Sequence, residues 1–365
     1  MSRWGQPLMS IRSEFRFSMR TANSMQTSST ETMTGPSVLS HDESSIREAA
    51  AALTRSGVVA FPTETVYGLG ASTLDPTALD AVFRIKGRPQ DNPLIAHVLD
   101  IEGAKTITTG WDDRCTLLAE AWWPGPLTLV LGRGESVPDQ ASGGRPTLAV
   151  RSPEHPVARA LLEAFGSPIS APSANRSGGI SPTCAQHIVD DFSGDPEARD
   201  LIVLDGGRCR VGIESTVLDM TMDPPRILRP GVLTPEVLEP LIGRIETTAI
   251  REQVHSPGTA ERHYSPQTSC MLVEEPELID RLASNECRCV VITSISGRRE
   301  LVQPPHELIL MPLDPAGYAM ELYEALRRAD AERADLILIE TTGEDDPNWL
   351  AIRDRLMRAA SERLS

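Results

Sequence analysis

Residues 58–70 read VVAFPTETVYGLG, an apolar run followed by a polar turn with two glycines. Val58 to Phe61 has the length and the β-branched content of a short buried strand. Pro62 stops this strand, because proline has no N–H group to donate to a sheet. Hydroxyl side chains that lie where a strand meets a turn are frequent ligand contacts in α/β proteins. Thr63 is therefore a candidate binding residue.

The sequence on either side of this stretch alternates between helical and strand patterns. Ser44 to Arg55 has apolar residues at helical spacing and a serine as a cap, and Pro76 to Ile85 is a second predicted helix. The other predicted elements are strands at 94–98, 127–131, 147–151, 201–205 and 215–219 and a helix at 155–165. Many strands separated by helices and by loops rich in proline and glycine indicate a mixed α/β sheet rather than a helical bundle.

A second, smaller α/β unit follows the first. The apolar pattern fades over 243–267, which we interpret as a linker. The predicted elements beyond it are strands at 270–273, 290–293, 308–311 and 336–339 and helices at 277–283, 316–333 and 349–363. Short aliphatic strands that alternate with helices are typical of a parallel, Rossmann-like layer. This unit has neither a glycine-rich dinucleotide fingerprint nor a Walker loop, so we assign no nucleotide site to it.

These patterns predict four segments. They are a disordered extension at 1–41, a larger α/β domain at 42–242, a linker at 243–267 and a smaller α/β domain at 268–365. The extension is rich in Ser, Thr, Met and Arg and lacks the apolar block of a secretory signal.

Composition narrows the possible functions. With 365 residues, 40% of them hydrophobic, the chain can bury a substantial core in two domains. Its formal net charge of −16 argues against strong direct binding of tRNA, which requires a basic surface. No apolar stretch has the roughly 18 residues of a membrane span. The six cysteines lack the spacing of a zinc site and suit a reducing environment, so we expect a cytoplasmic protein without a metal centre of its own.

Two cations stand close together at Lys86 and Arg88. The chain contains only two lysines, Lys86 and Lys105, so lysine at this position departs from its usual preference for arginine. A lysine supplies a point charge and an arginine a two-pronged donor to phosphate oxygens, and both can face one cavity if the segment is extended. The alternative is a solvated pair of surface charges.

Residues 170–179 read SAPSANRSGG, a run of small residues dense in hydroxyl groups and backbone amides. Ser173, Asn175 and Ser181 offer hydrogen-bonding groups in or just after this run, and glycine permits close approach of the backbone. A flexible surface loop is the alternative. Cations that face such a loop suit a polyphosphate, so the two fragments together predict an ATP site.

Arg151 and His97 are candidates for a second part of the site. Arg151 ends an apolar strand, where a cation often receives a carboxylate; the alternative is an ion pair with Glu154 or a neighbouring aspartate. His97 lies inside an apolar strand and is by default a hydrogen-bonded core histidine.

The fragments occur in an order and spacing that closely resemble the YrdC-type threonylcarbamoyl-AMP synthase family in its long, two-domain form. The matching blocks are residues 61–70, 86–94, 123–128, 149–151, 170–175, 212–216 and 228–231, with the segment 257–266 and the second α/β unit beyond them. The resemblance implies a twisted mixed sheet around a concave active-site cavity. It also implies a nucleotidyltransferase that makes threonylcarbamoyl-AMP and pyrophosphate from L-threonine, bicarbonate or CO2, and ATP with Mg²⁺. The product would pass to a separate transferase complex that modifies tRNA beside the anticodon.

The resemblance also implies roles for individual residues. Catalysis would fall on Lys86, Arg88, Ser173 and Asn175. Threonine would contact Thr63, His97, Arg151, Ala171 and Ser215. Further nucleotide contacts would come from Gln90, Thr147, Ser181, Arg229 and, from the linker, Tyr264. A linker that closes as a lid would protect the carbamate and the mixed anhydride from water.

Two other functions stay open on the sequence alone. One is an RNA-binding module without catalysis, which the negative charge disfavours. The other is a carbamoyl-adenylate-forming enzyme of the hydrogenase-maturation type, which would also carry an acylphosphatase unit and zinc fingers that this sequence lacks.

Overall fold

The computed structural model describes residues 35–247, 264–284, 286–341 and 346–360. Most of the predicted extension and the linker segment 248–263 lie outside the described residues. No helix within the described ranges is long and apolar enough to cross a membrane.

The first lobe is built on a mixed sheet. Its strands are β1 Ser37–Leu39, β2 Val59–Phe61, β3 Gly68–Ser72, β4 Ile95–His97, β5 Thr108–Thr109, β6 Leu127–Arg133, β7 Thr147–Arg151, β8 Ile169–Ala171, β9 Ile202–Leu204, β10 Thr216–Asp219, β11 Arg226–Arg229 and β12 Glu246–Thr247. Among the described residues the strand order is β1-β9-β2-β3-β8-β4-β7-β6-β10-β11-β12, and β5 pairs with β6. The sheet contains both parallel and antiparallel pairs, such as β4 with β7 and β4 with β8. The predicted mixed α/β fold is confirmed.

Helices connect the strands of this lobe. They are α1 Glu43–Thr54, α2 Pro76–Lys86, α3 Ile101–Ile107, α4 Asp113–Trp122, α5 Asp139–Ser142, α6 Pro156–Phe165, α7 Ala185–Phe192 and α8 Pro235–Ile242. The start of helix α2 is well defined by its sequence. The Asp75 side chain caps the helix by accepting hydrogen bonds from the amides of Thr77 and Ala78, and Pro76 occupies the first turn. It ends at Gly87, whose φ of 67° lies in the left-handed region that favours glycine.

Two sequence predictions need correction here. The turn predicted over 63–70 contains the start of strand β3, which pairs antiparallel with β2 and β8. Its glycines fit strands packed closely around them, since a Cβ on Gly70 would lie 2.5 Å from the Phe61 ring and 2.7 Å from Ile169. The predicted start of the first domain at residue 42 is also too late, because β1 already pairs with β9.

The second lobe is a smaller parallel sheet. Its elements are β13 Cys270–Val273, α9 Glu275–Ser284, β14 Cys289–Thr293, β15 Glu307–Leu310, α10 Pro315–Ala331, β16 Leu336–Glu340 and α11 Leu350–Ala359. The described strands are all parallel, in the order β13-β16-β14-β15. This confirms the predicted Rossmann-like layer.

The two lobes share one apolar cluster. Val66, Ile180 and Ile213 of the first lobe belong to the same buried cluster as Tyr264 and the apolar face of α10. The second lobe therefore packs against the loops that follow β2 and precede β10, which are also the loops that form the candidate site.

Candidate functional site

A cavity of about 50 Å³ lies in the first lobe, between the turn after β2 and the ends of β4, β7 and β8. Four predicted threonine contacts line it: Thr63, His97, Arg151 and Ala171. Four predicted nucleotide contacts line it as well: Arg88, Ser173, Arg229 and Tyr264. Residues from distant parts of the chain, including Tyr264 of the predicted linker, thus meet at a single cavity.

Lys86 lies beside this cavity and holds one of its walls. Its Nζ donates to the carbonyl oxygens of Ser173 and Asn175, both at 2.7 Å, and to Asn175 Oδ1 at 2.9 Å. Ser173 Oγ also donates to Asn175 Oδ1 at 2.6 Å. Burial, and then the charge of Arg88, lower the pKa of Lys86 well below its usual value. The ammonium group fixes the loop at 173–175 against the end of α2.

The arrangement of Lys86 and Arg88 differs from the extended segment considered above. Lys86 is the last residue of α2, and the left-handed Gly87 turns the chain before Arg88. Arg88 Nη2 donates to Asn92 Oδ1 at 2.6 Å and to the Pro93 carbonyl at 3.0 Å. Burial lowers the pKa of Arg88 to about 10, so its guanidinium keeps a positive charge in the cavity wall at neutral pH.

Arg151 is held in place by three groups. Its Nη2 donates to Glu64 Oε1 at 2.6 Å, its Nη1 to Thr65 Oγ1 at 2.9 Å and its Nε to the Gly125 carbonyl at 3.0 Å. A guanidinium carries five N–H donors, so two remain for a ligand. The pair with Glu154 that we considered is wrong, because Glu154 forms an ion pair with Arg210.

Glu64 supports Arg151 from within the turn after β2. Its other oxygen, Oε2, accepts from the Glu154 amide at 3.1 Å, which fixes the carboxylate. Burial alone would raise the pKa of Glu64, but the charge of Arg151 outweighs it and lowers that pKa. Glu64 was missed as a functional residue, although an acidic side chain in an otherwise apolar and hydroxyl-bearing turn is a signal for a buried ion pair.

His97 is a neutral member of the cavity wall. Its Nδ1 lies 3.3 Å from the Ile169 carbonyl, and its ring packs edge-on against Phe61 at 5.5 Å. Burial, and then the charge of Arg151, lower the pKa of His97 to about 3. The default interpretation as a hydrogen-bonded core histidine is compatible with a place in the cavity wall, since an uncharged imidazole can still contact a ligand.

Arg229 and Glu214 carry opposite charges, and both line a second wall of the cavity. Arg229 Nη2 donates to the Ser215 carbonyl at 3.0 Å and to Ser215 Oγ at 3.1 Å. Glu214 Oε1 accepts from Ser181 Oγ at 2.7 Å. Ser215 and Ser181 do not line the cavity but hold the residues that do. Glu214 was not predicted as a functional residue, although the block 212–216 that contains it was identified.

Two predicted nucleotide contacts lie away from the cavity. Gln90 is exposed and reaches Asp80 Oδ1 at 3.5 Å. Thr147 begins β7, at the end of that strand opposite to Arg151. Their proposed contacts with the nucleotide stay predictions.

Two family models together match most of this chain. The Sua5/YciO/YrdC family model, described as telomere recombination, matches residues 51–231, and a model described as the C-terminal domain of threonylcarbamoyl-AMP synthase matches residues 233–361. The threonylcarbamoyl-AMP synthase of Pyrococcus abyssi is 40% identical over 337 residues, which cover 88% of this chain and 96% of that protein. The Bacillus subtilis threonylcarbamoyl-AMP synthase is 38% identical over 345 residues, covering 89% and 96%.

A solved structure has the same architecture. Sua5 from P. abyssi, complexed with L-threonine, superimposes with a TM-score of 0.81 at 37% identity. The superposition covers 90% of this chain and 99% of that one, so it includes both lobes.

Proposed function

Because this chain belongs to the Sua5/YrdC family of threonylcarbamoyl-AMP synthases, we propose that it makes threonylcarbamoyl-AMP and pyrophosphate from L-threonine, bicarbonate or CO2, and ATP. The main support from the geometry is that the predicted threonine contacts and nucleotide contacts line one cavity. An amino acid and a triphosphate bound there would lie side by side.

The chemistry requires two bond-forming steps. The threonine amine attacks CO2, loses one proton and becomes a carbamate. A carbamate oxygen then attacks the α-phosphorus of ATP, the bond from that phosphorus to the bridging oxygen breaks, and pyrophosphate leaves with the electron pair. This transfer of AMP makes the enzyme a nucleotidyltransferase. Neither step needs a nucleophile from the protein, so positioning and charge neutralisation can lower the barrier.

The amino-acid half of the cavity centres on Arg151. Its two remaining N–H donors would bind the threonine carboxylate, in the two-pronged geometry that arginine favours. Thr63, His97 and Ala171 line the same region, and Ser215 acts through Arg229. Because His97 is neutral, its contact with threonine would be a hydrogen bond rather than an ion pair.

The nucleotide half centres on Arg88 and Ser173. Arg88 would neutralise charge on the phosphates, while Lys86 and Asn175 keep the loop that carries Ser173 in place. Mg²⁺ would enter with the ATP phosphates. The described residues contain no cluster of three or more His, Cys, Asp or Glu side chains suited to a metal ion, and Mg²⁺ in such sites takes most of its ligands from phosphate and water.

The linker would act as a lid. A cavity of about 50 Å³ is smaller than the roughly 300–1,000 Å³ of small-molecule sites. We infer that a wall of the cavity moves when the nucleotide binds, and Tyr264, which lies in the predicted linker, is the candidate. Closure would then keep water from the carbamate and the mixed anhydride. We further propose a cytoplasmic location and transfer of the product to a separate tRNA-modifying complex.

Pyrophosphate release from ATP tests this function. We expect release to require both threonine and bicarbonate, and the product to have the mass of threonylcarbamoyl-AMP. Release that is independent of threonine would favour the carbamoyl-adenylate alternative instead. If ATP and threonine stay unchanged under all conditions, the enzymatic proposal fails and an RNA-binding role becomes the better hypothesis.

A further inference from the structure

Glu214 is a negatively charged residue in a cavity that we assign to a triphosphate. Its side chain is buried, and the residue lines the cavity together with Arg88 and Arg229. Burial alone would raise the pKa of Glu214, but the charges of Arg355 and Arg229 lower it to about 2. The carboxylate is therefore ionised at neutral pH. An uncompensated anion there would repel the phosphates of a nucleotide.

Two of the donors to Glu214 come from the second lobe. Glu214 Oε2 accepts from the Tyr323 hydroxyl of α10 at 2.8 Å and from Arg355 Nε of α11 at 3.0 Å. These partners lie 109 and 141 positions further along the chain. The charge balance of the cavity thus depends on side chains that no part of the first lobe supplies.

The position of Arg355 beside Glu214 is fixed by further contacts. Its side chain is completely buried, and its Nη1 donates to the Pro230 carbonyl at 2.7 Å and to Asp354 Oδ2 at 2.9 Å. The other oxygen of Asp354 forms an ion pair with Arg358 at 2.8 Å. Asp354 therefore lies between two cations, and Arg355 contacts both Asp354 and Glu214.

The same two side chains also contact Tyr264. The rings of Tyr323 and Tyr264 stack with their centroids 5.4 Å apart, and the guanidinium carbon of Arg355 lies 5.6 Å from the centre of the Tyr264 ring. Tyr264 lines the cavity as well. Tyr323 and Arg355 of the second lobe therefore contact two residues that line the cavity, the Glu214 carboxylate and the Tyr264 ring.

We propose that Arg355 and Tyr323 are positioning residues of the nucleotide site, which hold and neutralise Glu214 so that the cavity accepts a triphosphate. This inference rests on the function proposed above. It gives the second lobe a defined part in the reaction: it sets the affinity for ATP through the charge of Glu214, and it leaves the threonine contacts around Arg151 unaffected.

A charge-balance experiment tests the inference. We expect Arg355→Met to raise the KM for ATP about 10-fold or more, because it leaves a buried carboxylate without its partner. The KM for threonine should change less than 3-fold. Adding Glu214→Gln to Arg355→Met should restore most of the ATP affinity, since the repelling charge is then gone. Arg328→Met, which removes an exposed charge from α10, is the matched control and should behave as wild type.

The outcomes separate the two proposals. If the wild-type protein does not release pyrophosphate with threonine, the proposed function fails. If it does, and Arg355→Met keeps the wild-type KM for ATP or the double variant is no better than Arg355→Met, the inference is wrong. Should Arg355→Met not fold, Tyr323→Phe carries the test: it removes one hydroxyl donor and should raise the KM for ATP several-fold, and an unchanged KM would overturn the inference.

Discussion

Lys86 and Asn175 lie 89 positions apart and are joined twice, through the Asn175 carbonyl at 2.7 Å and its Oδ1 at 2.9 Å. The two residues close the loop at 173–175 onto the end of α2. A lysine with three buried acceptors has no proton to spare for a ligand in this arrangement. Under the proposed function, it would contribute to nucleotide binding through the geometry of the loop.

Replacing Lys86 by alanine tests that role. The change leaves the carbonyls of Ser173 and Asn175 without their donor, so we expect the loop to lose its place and threonine-dependent pyrophosphate release to fall at least ~100-fold. The other lysine of the chain is the natural control. Lys105 forms an exposed ion pair with Glu102 at 2.8 Å, and Lys105→Ala should keep wild-type activity. Equal activity in both variants would contradict the role of Lys86.

Glu64→Gln tests how Arg151 is held. The substitution keeps the shape of the side chain but removes the charge that fixes the guanidinium, so we expect the KM for threonine to rise about 10-fold or more. The KM for ATP should change little. Glu154→Gln is the matched control, because Glu154 is acidic and adjacent but pairs with Arg210 instead. A similar rise in both variants would show that general charge, not the Glu64–Arg151 pair, sets threonine affinity.

The regular elements of the fold were largely predictable because their signals are local. Helix α2 carries its cap, its first-turn proline and its terminal glycine in sequence, and β7 and β13 were predicted with the bounds that the structure gives. Strand β3 was missed, because its glycines remove the alternating pattern that identifies a strand. Helices α3, α4, α5, α7 and α8 were also missed.

The candidate site was predictable in its residue types but not in its pairings. The cations Lys86, Arg88 and Arg151 were identified from motif and position. Their partners depend on contacts between segments far apart in sequence, such as Arg151 with Glu64 and Arg355 with Glu214. A charged residue at the helical spacing of a buried face, as Arg355 is beside Ile352 and Ala359, is a local signal that could have pointed to such a partner.

Gly212 provides a test of how closely the lobes must pack. Its φ is +81°, and a Cβ there would lie 2.4 Å from the Ala319 carbonyl oxygen and from Met320 Cα in α10. Gly207 has a φ of +82° with nothing within 4 Å of such a Cβ. Both substitutions by alanine incur the cost of a left-handed residue, about 1 kcal/mol. Only Gly212→Ala also displaces backbone of the second lobe.

We therefore expect Gly212→Ala to lower the free energy of unfolding by about 2 kcal/mol more than Gly207→Ala does. It should also raise the KM for ATP, because α10 carries Tyr323. Denaturant titration and pyrophosphate release measure the two effects. Equal losses of stability, with unchanged ATP affinity in both variants, would show that the contact of α10 with Gly212 does not constrain the site.

The pH dependence of the free energy of unfolding tests the protonation state of the buried His97 imidazole. Burial lowers its pKa to about 3 in the folded protein, against 6.5 for the ordinary group. Between these values the unfolded chain binds a proton that the folded protein does not, so stability is full above pH 6.5 and falls as the pH falls toward 3. Glu214, with its pKa lowered from 4.5 to about 2, adds a loss only below about pH 4.5. The loss of stability between pH 6.5 and 5 is therefore due to histidines.

His97→Gln removes this titration. His155 and His187 also have lowered pKa values through burial, so the informative quantity is the difference between the variant and the wild type. Between pH 6.5 and 5 the free energy of unfolding of the wild type should fall by about 1.5–2 kcal/mol more than that of His97→Gln. Urea titrations at several pH values measure it, and parallel curves for the two proteins would mean that His97 takes up its proton in the folded state.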